Sequence, residues 1–276
     1  VQQNPGSGLA RYYYGRFLLQ NDEDEKALNQ LRKAAELEPR KADFLFWLGV
    51  AYGENNRLQD EAATYQKALK IDNDHLQSMI YLGHNRLKQK QYLGALDIYD
   101  RALEIWPASP SSLYNRALIL QKLERTPEEL YGWHDYLSRY PSGALARRAT
   151  MYLNLNDDFS YRNHRLGART VTTEKIWFDK AGKTISPAST PSVDLIGAVA
   201  GKQNNMTLQV VTYQKNNLEL AHQKAVTIKR YLIEHVAELP ARRIGISWFA
   251  EPQSISIRKK IVTIDESVSF FLTQSR

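Results

Sequence analysis

Hydrophobic and small positions return at a fixed interval through the first half of the chain. Gly15, Gly49, Gly83 and Ala117 stand 34 residues apart, and Leu31, Tyr65, Tyr99 and Trp133 keep the same spacing. Ala34, Ala68 and Ala102 recur in register, with Tyr136 in the fourth slot, and so do Pro39, Pro107 and Pro141, with Asn73 in place of the second proline. Ala27 and Ala95 share a slot that the other copies fill with Glu61 and Glu129. Each slot has a physical reason. A Gly or Ala lets the two helices of a hairpin touch. The large Leu, Tyr or Trp fills the gap between hairpins, and the next Ala lets the following hairpin close in. The Pro or Asn stops the second helix. Asn21-Asp22 and Asn55-Asn56 are expected to cap the start of each second helix. An interval of this length, repeated in several independent slots, predicts a stack of helical hairpins.

These slots resemble the tetratricopeptide repeat (TPR) family. The phrases that carry the resemblance are LFWLGVAY (45–52) and YQKALKID (65–72), with EKALNQLRKAAELEP (25–39) and GALDIYDRALEIWP (94–107). It implies an all-α TPR superhelix over 1–155, with repeats at about 8–41, 42–75 and 76–109. A degenerate fourth repeat follows at 110–143, then a capping helix at 144–155. Terminal repeats are expected to be atypical. In such solenoids the first helix of each pair lines a concave groove that takes a protein or peptide partner. By helical spacing the lining is expected to include Tyr12, Arg16, Phe46, Glu54, His84, Lys88, Tyr114, Leu118 and Lys122. Aromatics among spaced cations suit a peptide with an acidic end or acidic side chains.

After residue 155 the helical period is lost. Residues 156–170 read as a linker or strap. VTTEKIWF (171–178), MTLQVVTY (206–213), RIGISWFA (243–250) and KIVTID (260–265) read as strands. Pro187–Gly201 reads as a helix, and Leu218, Ala221, Ala225, Ile228, Leu232 and Val236 define a second one. The order β-α-β-α-β-β predicts an α+β sandwich over 171–276.

This order, with IWFDKAGKTISPAS (176–189), NLELAHQKAVTIKRYL (217–232), RIGISWFAEPQ (243–253) and RKKIVTI (258–264), resembles the OmpA/MotB-like C-terminal domain. That domain is the peptidoglycan-associating module of bacterial envelope proteins. The resemblance implies that an Asp after the second strand and an Arg in the long helix would grip a zwitterionic wall peptide. Here Gln214-Lys215 and Lys224 stand in those places. Two lysines do not complement an ammonium group, and lysine does not fork onto a carboxylate as arginine does. The expectation is therefore an OmpA-like fold kept as a docking surface. The alternative is a peptidoglycan anchor with a substituted basic site at Lys215, Lys224 and Arg258. A third reading is a structural subunit whose groove is filled by its own linker or by the tail SVSFFLTQSR (267–276).

Composition sharpens this picture in three ways. The 276 residues carry a net charge of +7. Residues 1–150 hold 20 Lys and Arg against 19 Asp and Glu, and residues 151–276 hold 17 against 11, so the excess lies in the second module. No cysteine is present, which excludes disulfides, thiolate metal sites and a cysteine nucleophile. No apolar run reaches the length of a membrane span.

Chemical motifs are sparse. AGKT (181–184) lacks the upstream glycine of a phosphate-binding loop, since Trp177 stands there. The six histidines are scattered, with no metal-ligand pair, and Asp179, Glu219 and Glu251 read as caps or surface charges. Arg258-Lys259-Lys260 is a basic cluster without the stacking aromatics that nucleic acid would need. The expectation is a non-enzymatic adaptor without metal, cofactor or nucleic acid. The paired resemblances imply a bacterial periplasmic or outer-membrane-associated protein, such as a processed lipoprotein, that scaffolds a pilus, secretion system or cell-wall complex. The opening VQQNPGSG, without an initiator Met, reads as a mature or trimmed start.

Overall fold

The computed structural model describes residues 6–258 and 260–274. The chain divides into two compact units, 1–132 and 133–276. The first is all-helical: α1 (Gly8–Gln20), α2 (Asp24–Leu37), α3 (Ala42–Glu54), α4 (Leu58–Ile71), α5 (Leu76–Lys88), α6 (Tyr92–Ile105) and α7 (Pro110–Lys122). The chain passes from the first unit to the second within α8 (Thr126–Arg139).

The 34-residue slots serve the packing expected of them. A Cβ added at Gly83 would fall 2.7 Å from Tyr99 Cζ, and one at Gly15 would fall 2.5 Å from Leu31 Cγ, so the partner helix leaves no room for a methyl. Gly49 meets Tyr65 in the same way. Leu31, Tyr65 and Tyr99 are fully buried, as are Ala34, Ala68 and Ala102.

The capping expectation needs correction. Asn21 and Asn55 close the first helix of each pair rather than opening the second, and the N-cap positions of α2 and α4 are Glu23 and Arg57, neither of which makes a side-chain cap bond. Asp22, Asn56, Lys90 and Glu124, again 34 apart, all have φ between 56° and 60°. At each, one amide bonds back three residues and the next bonds back five, as in Asp22 N to Leu19 O and Glu23 N to Leu18 O. This left-handed closure satisfies carbonyls that the helix end would orphan. Asp and Asn tolerate it because their short polar side chains suit that region. The true N-caps form another 34-residue series, in which Ser7, His75 and Ser109 accept amide bonds and Lys41 does not.

The second unit holds α9 (Gly143–Leu155), β1 (Tyr161–Leu166), β2 (Arg169–Glu174), α10 (Thr190–Gly201), β3 (Met206–Gln214), α11 (Leu218–His235), β4 (Ile244–Phe249), β5 (Gln253–Ile257), β6 (Lys260–Ile264) and β7 (Glu266–Gln274). β3 is the centre of a three-stranded sheet, parallel to β4 and antiparallel to β7. Its core joins Leu208, Val210, Phe270, Ile196, Ile228 and Leu232. Arg243 locks the unit from below. Its buried guanidinium donates to the carbonyls of Ala200, Gly201, Gln203, Met206 and Glu238 at 2.6–3.5 Å, which caps the C-terminal end of α10.

Three sequence readings change here. Residues 161–166, inside the stretch read as a linker, form β1 and pair with β2 as an antiparallel hairpin. The strand expected over 171–178 stops at Glu174. The tail expected to fill a groove is β7, which pairs with β3 from Gln274 back to Glu266; Ser275 and Arg276 lie outside the described residues. The β-α-β-α-β-β order thus gains β1, β5 and β7, with β5 and β6 pairing as a separate antiparallel hairpin.

Candidate functional site

The first helix of each pair presents two different faces, and the register decides which side chains are free. Tyr12, Phe46 and Tyr114 lie three residues before the small slot. Residues three apart share a helix face, so all three turn with Gly15, Gly49 and Ala117 toward the packed side. They are buried, at 7%, 5% and 4% exposure. Tyr12 stacks on Phe44, and Phe46 packs against Trp47, Tyr65 and His75. Their expected place in a binding groove is corrected: they are interior. The neighbouring slot, about 100° further round the helix, carries Tyr13, Trp47, Tyr81 and Asn115. Tyr13 is 58% exposed and Tyr81 40%. The signal for this was present in the sequence, since the spacing to the glycine fixes the face.

Glu54, His84 and Lys88 do come together. With Val50, Tyr81, Asn85 and Glu61 they line an open groove of about 350 Å³ formed by α3, α4 and α5. Aromatic contacts hold its wall: Tyr81 meets Phe46 edge-on at 5.0 Å, and His84 sits 5.8 Å from Tyr81 and 5.9 Å from Tyr99. His84 Nε2 lies 2.8 Å from Ser111 Oγ, and desolvation by its surroundings lowers its pKa, which favours the neutral ring. On the floor Glu61 is buried. Asn85 Nδ2 donates to its Oε2 at 2.7 Å, but burial prevails and raises its pKa. Lys88 and Glu54 stay exposed at the rim. Arg16 is committed, with its guanidinium 4.4 Å from the Trp47 ring centre and a bond to the Tyr12 hydroxyl. Leu118 is half-buried and Lys122 exposed in the matching slots of α7.

The basic triad of the second unit is not assembled. Lys224 is buried and donates to Gln214 Oε1 and Glu266 Oε1, both at 2.7 Å. Lys215 pairs with Asp265 at 3.1 Å. Arg258 sits in the β5–β6 turn, 5.8 Å from the Tyr152 ring centre, at the other end of β6 from Asp265. Lys259 of the basic cluster lies outside the described residues. The places where the resemblance would put ligand contacts are thus filled by internal bonds.

One grouping has the residue types of a nucleophilic site. His134 Nε2 is 2.7 Å from Asp158 Oδ2, and Ser160 Oγ donates to Asp158 Oδ1 at 2.5 Å. Serine and histidine therefore both serve the carboxylate, and the hydroxyl proton points to Asp158 rather than to the ring. Burial opposes the Asp158 charge, yet the bonds from Ser160 and His134 keep its pKa below the ordinary value. The arrangement ties α8 to the start of β1. AGKT is likewise structural: Asp179 Oδ1 accepts the amides of Lys183 and Thr184 at 2.7 and 3.1 Å.

The repeated hairpins, their small-residue contacts and the groove on their first helices define a TPR superhelix, followed by a region of strands and helices. Comparison with known proteins agrees. The model of the tetratricopeptide repeat family matches residues 25–75. Protein O-mannosyl-transferase TMTC1 of Mus musculus is 32% identical over 109 residues, 38% of this chain. Anaphase-promoting complex subunit 3 of Schizosaccharomyces pombe is 27% identical over 120 residues, 44% of this chain. The matched regions are 12% and 18% of those proteins' own lengths. Among solved structures, MamA residues 41–end from Desulfovibrio magneticus RS-1 superposes with a TM-score of 0.51 at 20% identity, covering 54% of this chain and 85% of that one. A MamA RS-1 double mutant gives 0.52 at 20% identity, covering 55% and 85%. At this identity the structures show a shared fold. TPR proteins mediate protein–protein interaction and scaffolding.

Proposed function

We propose that the chain is a non-enzymatic adaptor that captures a peptide segment of a protein partner in the groove of Val50, Glu54, Tyr81, His84 and Lys88. The observation that carries this is the combination of an exposed tyrosine, held by Phe46 and Tyr65, with a rim lysine over an open groove. A rigid aromatic anchor supplies binding area at small entropic cost, and the lysine orients an acidic group of the partner. In this reading the second unit is a divergent OmpA-like domain. Support comes from α10, β3, α11 and β4 occurring in the order of the resemblance, and from the internal use of Lys215 and Lys224, which favours docking over peptidoglycan anchoring. The envelope setting, periplasmic or outer-membrane-associated within a pilus, secretion or cell-wall assembly, follows from that pairing.

A random peptide display library selected on the whole protein tests the groove. Selected peptides are expected to carry an apolar residue near an acidic one. Tyr81→Ala and Lys88→Glu should each weaken binding about tenfold, as truncated anchors do, and Leu93→Ala, at an exposed position on α6, should leave it unchanged. Peptides indifferent to both groove substitutions would sink the proposal.

A further inference from the structure

The second unit contains a cleft of about 420 Å³, within the range of small-molecule sites. Its apolar wall is Phe159, Ile176, Trp177, Ile264 and Val268. Its charges are unevenly matched. Three of its carboxylates are each closed by a lysine: Asp157 by Lys260 at 2.9 Å, Asp265 by Lys215 at 3.1 Å and Glu266 by Lys224 at 2.7 Å. Two cations facing the same space have no carboxylate partner among the described residues. Lys175 Nζ lies 4.1 Å from the Trp177 ring centre, and Trp177 is exposed. Arg162 gives one bond, at 3.2 Å, to the neutral Oε1 of Gln253. That amide is oriented for it: Gln253 Nε2 donates to Ser269 Oγ, and its Oε1 also accepts from the Ser267 hydroxyl, both at 2.8 Å.

We infer that this cleft binds a small monocarboxylate with an apolar or planar body, the chemistry of a peptide C-terminus that ends in an apolar residue. Arg162 would take the carboxylate on its free N–H groups, since a guanidinium matches that group bidentately. Lys175 supplies a second cation, and Trp177 gives the body a flat face. A guanidinium fixed by a neutral amide keeps its charge uncompensated. Burial pulls Arg162 down to about 10, the direction expected of a cation that lacks a counter-ion. Glu174, the lining carboxylate that none of these lysines closes, disfavours a multiply charged anion, which selects a monoanion.

The test uses the full chain and N-acetyl-phenylalanine, with its primary amide and inorganic phosphate as comparison probes. Titration is followed by the Trp177 indole and Arg162 Nε–H resonances, assigned with Trp177→Phe and Arg162→Gln. The acid should shift both signals saturably, with the amide and phosphate each weaker by about tenfold or more. Arg162→Gln should abolish the acid's effect, and Lys175→Gln should weaken it. Arg162→Lys, which keeps the charge without the fork, should fall between wild type and Arg162→Gln, and covers the case in which the glutamine variant misfolds. Equal binding of acid and amide, phosphate binding as tight as the acid, acid binding that survives Arg162→Gln, or no shift at all would overturn the inference.

Discussion

Gly83 offers the sharpest test of the repeat packing, because two physical effects give opposite signs there. On intrinsic propensity, alanine in a helix interior is better than glycine by about 1 kcal/mol. On packing, the new Cβ would fall 2.7 Å from Cζ and 2.8 Å from Cε1 of Tyr99. Tyr99 is fully buried and His84 lies 5.9 Å from its ring, so the ring has little space to withdraw. Overpacking of this kind costs about 1–3 kcal/mol, so Gly83→Ala should destabilise by roughly 1 kcal/mol net. Tyr99→Val removes the atoms that the methyl would meet, at a cavity cost of about 3 kcal/mol. In that background Gly83→Ala should change sign and stabilise by up to about 1 kcal/mol. Urea unfolding of the four proteins gives the cycle directly. Additive effects, or a stabilising Gly83→Ala in the wild-type background, would refute the packing argument.

Two predictions concern the second unit. Arg243→Met leaves five carbonyls without their guanidinium and should cost about 2–4 kcal/mol in urea unfolding, with Arg243→Lys recovering part of it; a loss under about 0.5 kcal/mol, as for a surface site, would contradict the capping role. His164 is buried. It accepts the Phe270 amide on Nδ1 and contacts Thr173 Oγ1 through Nε2. Burial first, and the Arg162 charge second, push it down to about 3. The unfolded chain therefore binds a proton that the folded one refuses, so stability falls as pH drops below about 6.5, by roughly 2 kcal/mol at pH 5. A His164→Gln variant, which keeps an acceptor and a donor, should lose that part of the acid sensitivity between pH 6.5 and 4. An unchanged slope would count against the neutral buried ring.

The repeats were legible because their slots are local and periodic. A hairpin needs a small residue opposite a large one sixteen positions on, and that demand is written at a fixed interval, as in Gly83 and Tyr99. The groove was only half legible. Glu54, His84 and Lys88 follow from helical spacing, whereas the more exposed positions lie one residue after Tyr12, Phe46 and Tyr114, whose inward face Gly15, Gly49 and Ala117 fix. The second unit resisted for non-local reasons. β1 alternates weakly because His164 is buried and Arg162 half-buried, both polar, and their partners lie on β2, β7 and β5. β7 read as a tail because its pairing with β3 spans more than fifty residues of intervening chain. The pairing of Lys224 with Glu266, 42 residues on, has no sequence period at all.

The proposal that the first unit binds a partner peptide through its groove is met most directly by site-specific photocrosslinking. Benzoylphenylalanine would be placed at Tyr81 and, as controls, at the exposed Leu93 and Tyr131, and irradiated with a peptide taken from the display selection. The expected outcome is an adduct from position 81 alone, lost when Lys88→Glu is added. Adducts of equal yield from all three positions, or from the controls only, would contradict groove capture.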